Sequence, residues 1–413
     1  MSPTDREGGE MNYSKDEVIQ YTREEDVKFV RIAYCDVFGK QKNISIMADE
    51  LPRAFEYGIS FDASAVAGFG DESRSDLLLH PEPNTLVPLP WRPEHGRVVQ
   101  MFSNITLSDG TPFGCDTRRL LKDAVSDAEK MGLEFNFGSE LEFYLFQRDE
   151  NGKPTRIPSD EAGYMDIAPE DKGENVRREI CLTLERMGIL PERSHHEQGP
   201  GQNEIDFKYS GALAAADNAM TFQRVVKTVA YNNGLVADFS PKPIPDAPGN
   251  GFHINISVQP LDKEETLSQM IAGILANARA MTAFLNPSEV SYQRLGSYKA
   301  PRYVSWSYEN RSPLVRIPAA EGQYRRIELR SADSSANPYL AFALVIHACL
   351  DGIGRRLQLC SPSDINLFTA GSDVLSSYEK LPGSFSEACR VSASSSFIRE
   401  HIPSEILSIY CNR

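Results

Sequence analysis

The chain has 413 residues, 41% apolar and 24% charged, enough for two or three domains around a sizeable core. Its formal net charge of −15 argues against a nucleic-acid partner bound through a basic surface. The seven cysteines (Cys35, Cys115, Cys181, Cys349, Cys360, Cys389, Cys411) are scattered and lack Cys-x-x-Cys spacing, so they read as reduced cytoplasmic thiols, not as a disulfide frame or zinc site.

In chain order, Met1 to Glu10 is polar and carries no apolar signal region, and Met11 offers a second start. Residues 1–14 are therefore expected to form a disordered extension. Val27 to Tyr34 and Asn43 to Met47 read as strands around a Val37-Phe38-Gly39-Lys40 turn. Pro81 to Pro93 reads as a loop and Arg97 to Leu107 as a further strand, which together give a small α+β domain ending near residue 110. Asp116 or Thr117 caps a helix running to about Met131, with Leu120, Leu121, Ala124 and Ala128 as its buried stripe. Glu134 to Phe146 is a strand, and helices are expected over Glu174 to Met187, Ala212 to Asn232 and Lys263 to Leu285. Pro241 to Gly251 is a rigid loop, and a mostly apolar last helix covers Pro338 to Leu357. The longest apolar run, Tyr339 to Leu350, is too short to span a bilayer, so no membrane partner is expected.

Four stretches alternate unusually: Ser139 to Tyr144, Asn203 to Phe207, Phe252 to Ser257 and Arg326 to Arg330. Residues i and i+2 of a strand share a face. Four such strands in one sheet would line a channel with Glu140, Glu142, Glu204, His253 and Glu328, flanked by Arg326 and Arg330. So many like charges need cations between them. Oxygen-rich sites with one histidine suit Mg²⁺ or Mn²⁺. The Gly199-Pro200-Gly201 loop could bring Glu197 and Glu204 to one ion, while His195 and His196 read as structural or supporting residues. The basic run Arg294, Lys299, Arg302, Arg311, Arg316, Arg325, Arg326 and Arg330 suits carboxylate and phosphate recognition. Two ions with an arginine cluster, in a chain without a P-loop motif, point to phosphoryl transfer by another architecture.

These motifs, taken in order, resemble the glutamine synthetase family in its bacterial type I form. Gly138-Ser-Glu-Leu-Glu-Phe-Tyr, Ala168-Pro-Glu-Asp, His195-His-Glu, Gly201-Gln-Asn-Glu-Ile-Asp-Phe, Phe239-Ser-Pro-Lys-Pro, Gly249-Asn-Gly-Phe-His, Asn310-Arg-Ser, Arg316-Ile-Pro and Arg325-Arg-Ile-Glu-Leu-Arg carry the resemblance, which runs from about Val27 to Pro382. It implies an α+β fold: a β-grasp domain over 15–108, then a glutamine synthetase/guanido kinase-like catalytic domain over 109–413 with a large antiparallel sheet. It implies Glu142, Glu197 and Glu204 as ligands of one metal, and Glu140, His253 and Glu328 as ligands of the other. Gly249, Arg294 and Arg330 match glutamate-binding positions, and Tyr209, Ser257 and Arg326 match ATP contacts. Arg311 and Arg316 match phosphate-stabilising arginines, and Asp62 matches an aspartate that reaches a neighbouring subunit's site and deprotonates ammonium. The implied reaction joins L-glutamate and ammonia through γ-glutamyl phosphate at the expense of ATP, in a homo-oligomeric ring with sites between subunits.

Some positions depart from the family pattern. Lys299 stands in the flap where the family carries glutamate, which points to a small organic amine as the alternative nucleophile. Pro248 replaces an asparagine, and Ala63 and Ala65 alter the loop around Asp62. The chain ends soon after Phe397-Ile-Arg-Glu-His-Ile-Pro, which leaves a single hexamer as the alternative to a stacked dodecamer.

Overall fold

The computed structural model describes residues 13–412 except 93, 94, 261–263, 321, 323 and 324. The chain divides into two compact units, Met1–Leu120 with Leu182–Leu190, and Leu121–Cys181 with Pro191–Arg413.

In the first unit, six strands form a sheet in the order Gln41–Met47, Val27–Cys35, Arg97–Thr106, Asp76–Pro81, Ile59–Asp62, with Val87–Pro88 added beside Arg97–Thr106. Val27–Cys35 and Arg97–Thr106 run parallel, and the remaining pairs are antiparallel. Apolar alternation sets the buried face, where Val30, Ile32, Leu79 and Met101 lose all exposure. The predicted turn after the first strand forms because the Asp36 carboxylate accepts from the backbone N–H of Phe38 at 3.0 Å and Lys40 at 2.9 Å. The expected loop over 81–93 instead contains a 3₁₀ turn, Pro83–Thr85, and the short strand Val87–Pro88.

The expected disordered extension is corrected at its end. Residues 1–12, including Met11, lie outside the described residues, but Ser14 caps helix Lys15–Glu24. Its hydroxyl accepts from Glu17 N at 3.2 Å while the Glu17 carboxylate accepts from Ser14 N at 2.7 Å.

The second unit is built on a ten-stranded sheet. Its main order is Trp306–Tyr308, Val315–Ile317, Ile327–Leu329, Phe252–Gln259, Glu134–Arg148, Gln202–Phe207, Pro191–His196. Pro154–Pro158, Ser210–Gly211 and Leu235–Asp238 also pair with the central strand Glu134–Arg148. The expected antiparallel sheet needs one correction: Trp306–Tyr308 and Val315–Ile317 run parallel.

Helices Ala212–Asn232, Glu264–Leu285 and Pro338–Gly354 supply the apolar cover. Phe137 stacks on Phe342 with ring centroids 4.3 Å apart, and Phe143 meets Phe222 edge-on at 6.2 Å. Each such ring, fully buried, stabilises the fold by roughly 1.5–3 kcal/mol. Because the odd-numbered residues of Glu134–Arg148 are thereby committed to the helices, Glu140 and Glu142 project from the opposite face. Helix Pro338–Gly354 starts with Asn337, whose side-chain oxygen accepts from Tyr339 N at 3.0 Å, and with proline at its first position. It crosses Glu264–Leu285 at paired glycines: a Cβ on Gly273 would lie 2.0 Å from Ala348 O, and one on Gly352 would lie 2.0 Å from Gln269 O.

Pro338–Gly354 is not the last helix. Ser372–Leu375, Phe385–Ser394, Ser396–His401 and Ser404–Cys411 follow it. Helix Glu264–Leu285 begins one residue after the expected Lys263, which lies outside the described residues. No helix among the described residues is long and apolar enough to cross a membrane.

Candidate active site and metal centre

The four alternating stretches lie in one sheet, and their register fixes which side chains meet. Glu142 pairs with Glu204, and Glu140 is flanked by Asp206 on one side and His253 on the other. Asn255 pairs with Glu328, which also pairs with Arg316. Directly paired residues project to the same face, so these four strands gather five carboxylates and a histidine on one side of the sheet.

The loops complete the site. Strand Pro191–His196 places Arg193 opposite Asp206 and His195 opposite Glu204. The turn after it returns Glu197, whose carboxylate lies 3.1 Å from His195 Nε2 and accepts from Gln198 N at 2.9 Å. Gln202 donates to Glu142 at 3.1 Å and to the Gly249 carbonyl at 3.2 Å. Gly249 permits the close approach of the Pro241 to Gly251 loop, since a Cβ there would lie 2.3 Å from Pro241 O and 2.9 Å from Arg294 Cγ. The predicted rigid loop is thus shaped by backbone crowding as well as by its prolines.

A cleft of about 300 Å³ opens over this face. Of the residues singled out from sequence, Glu140, Glu142, Glu197, Glu204, His253, Gly249, Arg294, Lys299, Arg311, Arg316, Arg326 and Arg330 line it. Glu328 lies beneath, 1% exposed, held at 2.7 Å by both Arg316 and Arg330. Tyr209, half exposed, stands beside Asn255 over Gly138, and Arg326 Nε donates to Asn255 at 2.9 Å. Ser257 follows on the same strand face as His253 and Asn255, and neither Tyr209 nor Ser257 is a wall of the cleft. Asp62 belongs to the first unit, where its exposed carboxylate accepts from Ser64 N at 3.0 Å. Arg302 and Arg325 do not join the cleft; Arg325 pairs with Glu264.

The carboxylates divide electrostatically. Burial acts to raise Glu140, but His253 at 3.2 Å and Asn255 at 2.9 Å stabilise its anion and hold it at about 2. Burial and then the surrounding acids Asp206, Glu142, Glu140 and Glu197 push Glu204 well above the usual range. Burial and the Glu140 charge raise Asp206 to about 7 even though Arg193 sits 2.6 Å away. Crowding that disfavours the charged forms of Glu204 and Asp206 is what a bound cation would relieve.

Ligand atoms of Glu140, His253 and Glu328 lie within 4.8 Å of one another, as do those of His195, Glu197 and Glu204, and those of Glu142, Glu204 and His253. The donor set is mainly carboxylate oxygen with imidazole, which fits hard divalent ions. Sequence reasoning passed over Asp206, Arg193, Gln202 and Tyr164. Asp206 was within reach, since it stands two residues after Glu204 on the same face. Tyr164, in an irregular loop, gives no periodic signal.

His195 and His196 support the site differently. His195 faces the cleft between Glu197 and Glu204. His196 is fully buried, with Nε2 2.9 Å from Asp160 and Nδ1 2.6 Å from the Glu197 carbonyl, and so fixes the backbone that presents Glu197.

Comparison with known proteins agrees with this geometry. Residues 114–413 match the family described as glutamine synthetase, catalytic domain, and residues 26–108 match glutamine synthetase, beta-Grasp domain. A glutamine synthetase of Clostridium saccharobutylicum is 45% identical over 369 residues, covering 86% of this chain and 83% of that protein. One from Methanosarcina mazei is 41% identical over 412 residues, covering 96% and 92%. Among solved structures, one described as a GmaS/ADP complex superposes with a TM-score of 0.87 at 28% identity, covering 97% of this chain and 94% of that one. Plasmodium falciparum glutamine synthetase shares the fold, with a TM-score of 0.86 at 22% identity, covering 97% and 95%. The chain belongs to the glutamine synthetase family.

Proposed function

We infer that the protein is a glutamate–ammonia ligase that uses ATP and divalent metal. Family membership supports the substrates, and one observation carries the chemistry: a carboxylate and histidine sheet face lies directly beneath converging arginines. Glu142, Glu197 and Glu204 would hold one ion, and Glu140, His253 and Glu328 the other, with Mg²⁺ or Mn²⁺ the ions this donor set suits. When bound, the ions supply positive charge that screens the phosphates and orients the reacting oxygens.

The chain's own residues do the rest. Arg294, 3% exposed, is held by the Ser331 carbonyl at 2.8 Å, so its fork is oriented before glutamate arrives. Arg330 and the Gly249 backbone complete that pocket. Tyr209, Ser257 and Arg326 form the ATP-contacting side. A γ-carboxylate oxygen of glutamate attacks the γ-phosphorus of ATP, and ADP departs. Arg311 and Arg316 face the charge that builds on the transferring group. The amine nitrogen then attacks the acyl carbon, the carbon–oxygen bond to phosphate breaks, and the amide remains. Asp62 of a neighbouring subunit takes the proton that the nitrogen sheds as the amide forms.

This reading implies a homo-oligomeric ring, hexamer or dodecamer, and a β-grasp domain through residue 108 ahead of the catalytic domain. Seven free cysteines support a cytoplasmic location. Phosphate release from ATP, measured with glutamate and ammonium and with Mg²⁺ or Mn²⁺ supplied, tests the reading. Release that requires all three components is expected. Release independent of glutamate would overturn it.

A further inference from the structure

Lys299 is presented to the cleft by a turn fastened from several sides. Gly296 N donates to Ala300 O and Ala300 N donates to Ser297 O, each at 3.1 Å. The neighbouring Tyr298 hydroxyl donates to the Asp246 carbonyl, and its ring sits 4.6 Å from the Lys242 ammonium. Lys242 also donates to Ser297 Oγ at 3.3 Å, and Arg330 Nη2 donates to the Lys299 carbonyl at 3.3 Å. With its backbone so held, Lys299 lays its ammonium 5.0 Å from the centre of the Tyr164 ring. Tyr164 in turn packs edge-on against His195, the partner of Glu197, with centroids 5.4 Å apart.

An aromatic face beside a carboxylate is a good place for a small cation. Here the protein fills it with a cation of its own. A tethered group competes at an effective concentration on the order of millimolar, and it cannot diffuse away. A second cation entering the same corner would also meet its repulsion, strengthened wherever water is excluded.

We propose that Lys299 sets the selectivity of this site between charged and uncharged nucleophiles, disfavouring ammonium and protonated amines and admitting the neutral amine. The proposal rests on the ligase reading and deepens it: the nitrogen donor enters as an uncharged base. Any amine mostly neutral at working pH would be favoured over one mostly protonated.

The test compares ammonium, which is cationic near neutrality, with hydroxylamine, which is largely uncharged there. Steady-state kinetics would be run on the full-length protein and on Lys299→Gln and Lys299→Glu. Lys299 is exposed and its fastening bond is made by its backbone, so both variants should fold. The ammonium-to-hydroxylamine ratio of kcat/KM is expected to rise by about tenfold in Lys299→Gln, and further in Lys299→Glu. In the unaltered protein, KM expressed as total ammonia should fall by about tenfold per pH unit, following the neutral species. In Lys299→Glu that dependence should flatten. An unchanged ratio in both variants, or a pH-independent ammonium KM in the unaltered protein, would overturn the proposal. Absence of turnover with either nucleophile would overturn the ligase reading, and this inference with it.

Discussion

Glu328 and Arg330, two residues apart, form a 2.7 Å ion pair in which both side chains are almost wholly buried. Arg316 binds the other Glu328 oxygen at the same distance. Breaking a buried pair leaves an uncompensated charge and typically costs about 3–5 kcal/mol. Glu328→Gln should therefore lower the melting temperature of the metal-free protein and weaken Mn²⁺ binding by an order of magnitude or more. Calorimetry of both transitions checks this; unchanged Mn²⁺ affinity would remove Glu328 from the ligand set.

The Ser334 hydroxyl reaches two carbonyls, Glu142 O at 3.0 Å and Gly251 O at 2.8 Å, and so ties the central strand to the loop that carries Gly249. Ser334→Ala removes the one O–H proton that the two oxygens share, at a cost of about 1–3 kcal/mol in urea unfolding. Retention of full stability would show that the shared hydroxyl is dispensable.

At the helix crossing two effects oppose each other. Alanine is a better helix former than glycine by about 1 kcal/mol. Yet a methyl at Gly273 would meet the Ala348 carbonyl at 2.0 Å, and overpacking typically costs about 1–3 kcal/mol or more. Backbone cannot move aside as a flexible side chain does, so the clash should win. Gly273→Ala is expected to lower the melting temperature by several degrees; a rise would mean that the helices separate freely.

The pH dependence of stability should carry a signature from outside the cleft. His347 stacks on His401 with centroids 3.8 Å apart, and burial, then the His401 charge, lowers His347 to about 4. Asp127 acts in the opposite direction on both rings, and Asp351 and Glu400 do so on His401. Unfolded, His347 titrates at its ordinary value of 6.5. Between these values the unfolded chain binds the extra proton, so stability is present above pH 6.5 and falls as pH drops towards 4. The loss amounts to about 3 kcal/mol at most. His347→Phe, which keeps a flat ring against His401, should flatten the stability profile over that window. An unaltered slope would assign the acid sensitivity elsewhere.

Much of the site was legible because a two-residue period leaves little freedom. Once Phe137, Leu141 and Phe143 are committed to the core, Glu140 and Glu142 must emerge together on the other side. Asp206 obeys the same rule relative to Glu204. The arginine run could not be sorted in this way. Arg302, Arg311 and Arg325 lie on irregular backbone, where side-chain direction depends on tertiary contacts such as the Arg325 pair with Glu264. The short helices after residue 371 escaped because four to ten residues give fewer than three turns of periodicity. Their caps were nonetheless written locally: Ser384 accepts from Glu387 N, and Ser395 from Ile398 N. The Ser-x-x-Glu pattern of Ser384 to Glu387 also occurs at Ser14 to Glu17, before a helix that the sequence analysis leaves unassigned.

If the γ-carboxylate of glutamate attacks ATP on this sheet face, one of its oxygens must leave in the phosphate, and isotope transfer reports that step. Glutamate labelled with ¹⁸O in its γ-carboxylate would be turned over with ATP, divalent metal and ammonium or hydroxylamine, and the released phosphate examined by mass spectrometry. An acyl-phosphate route places one labelled oxygen in each phosphate formed. Phosphate carrying no label would mean that water attacks ATP instead, and that the carboxylate, histidine and arginine constellation serves some other reaction.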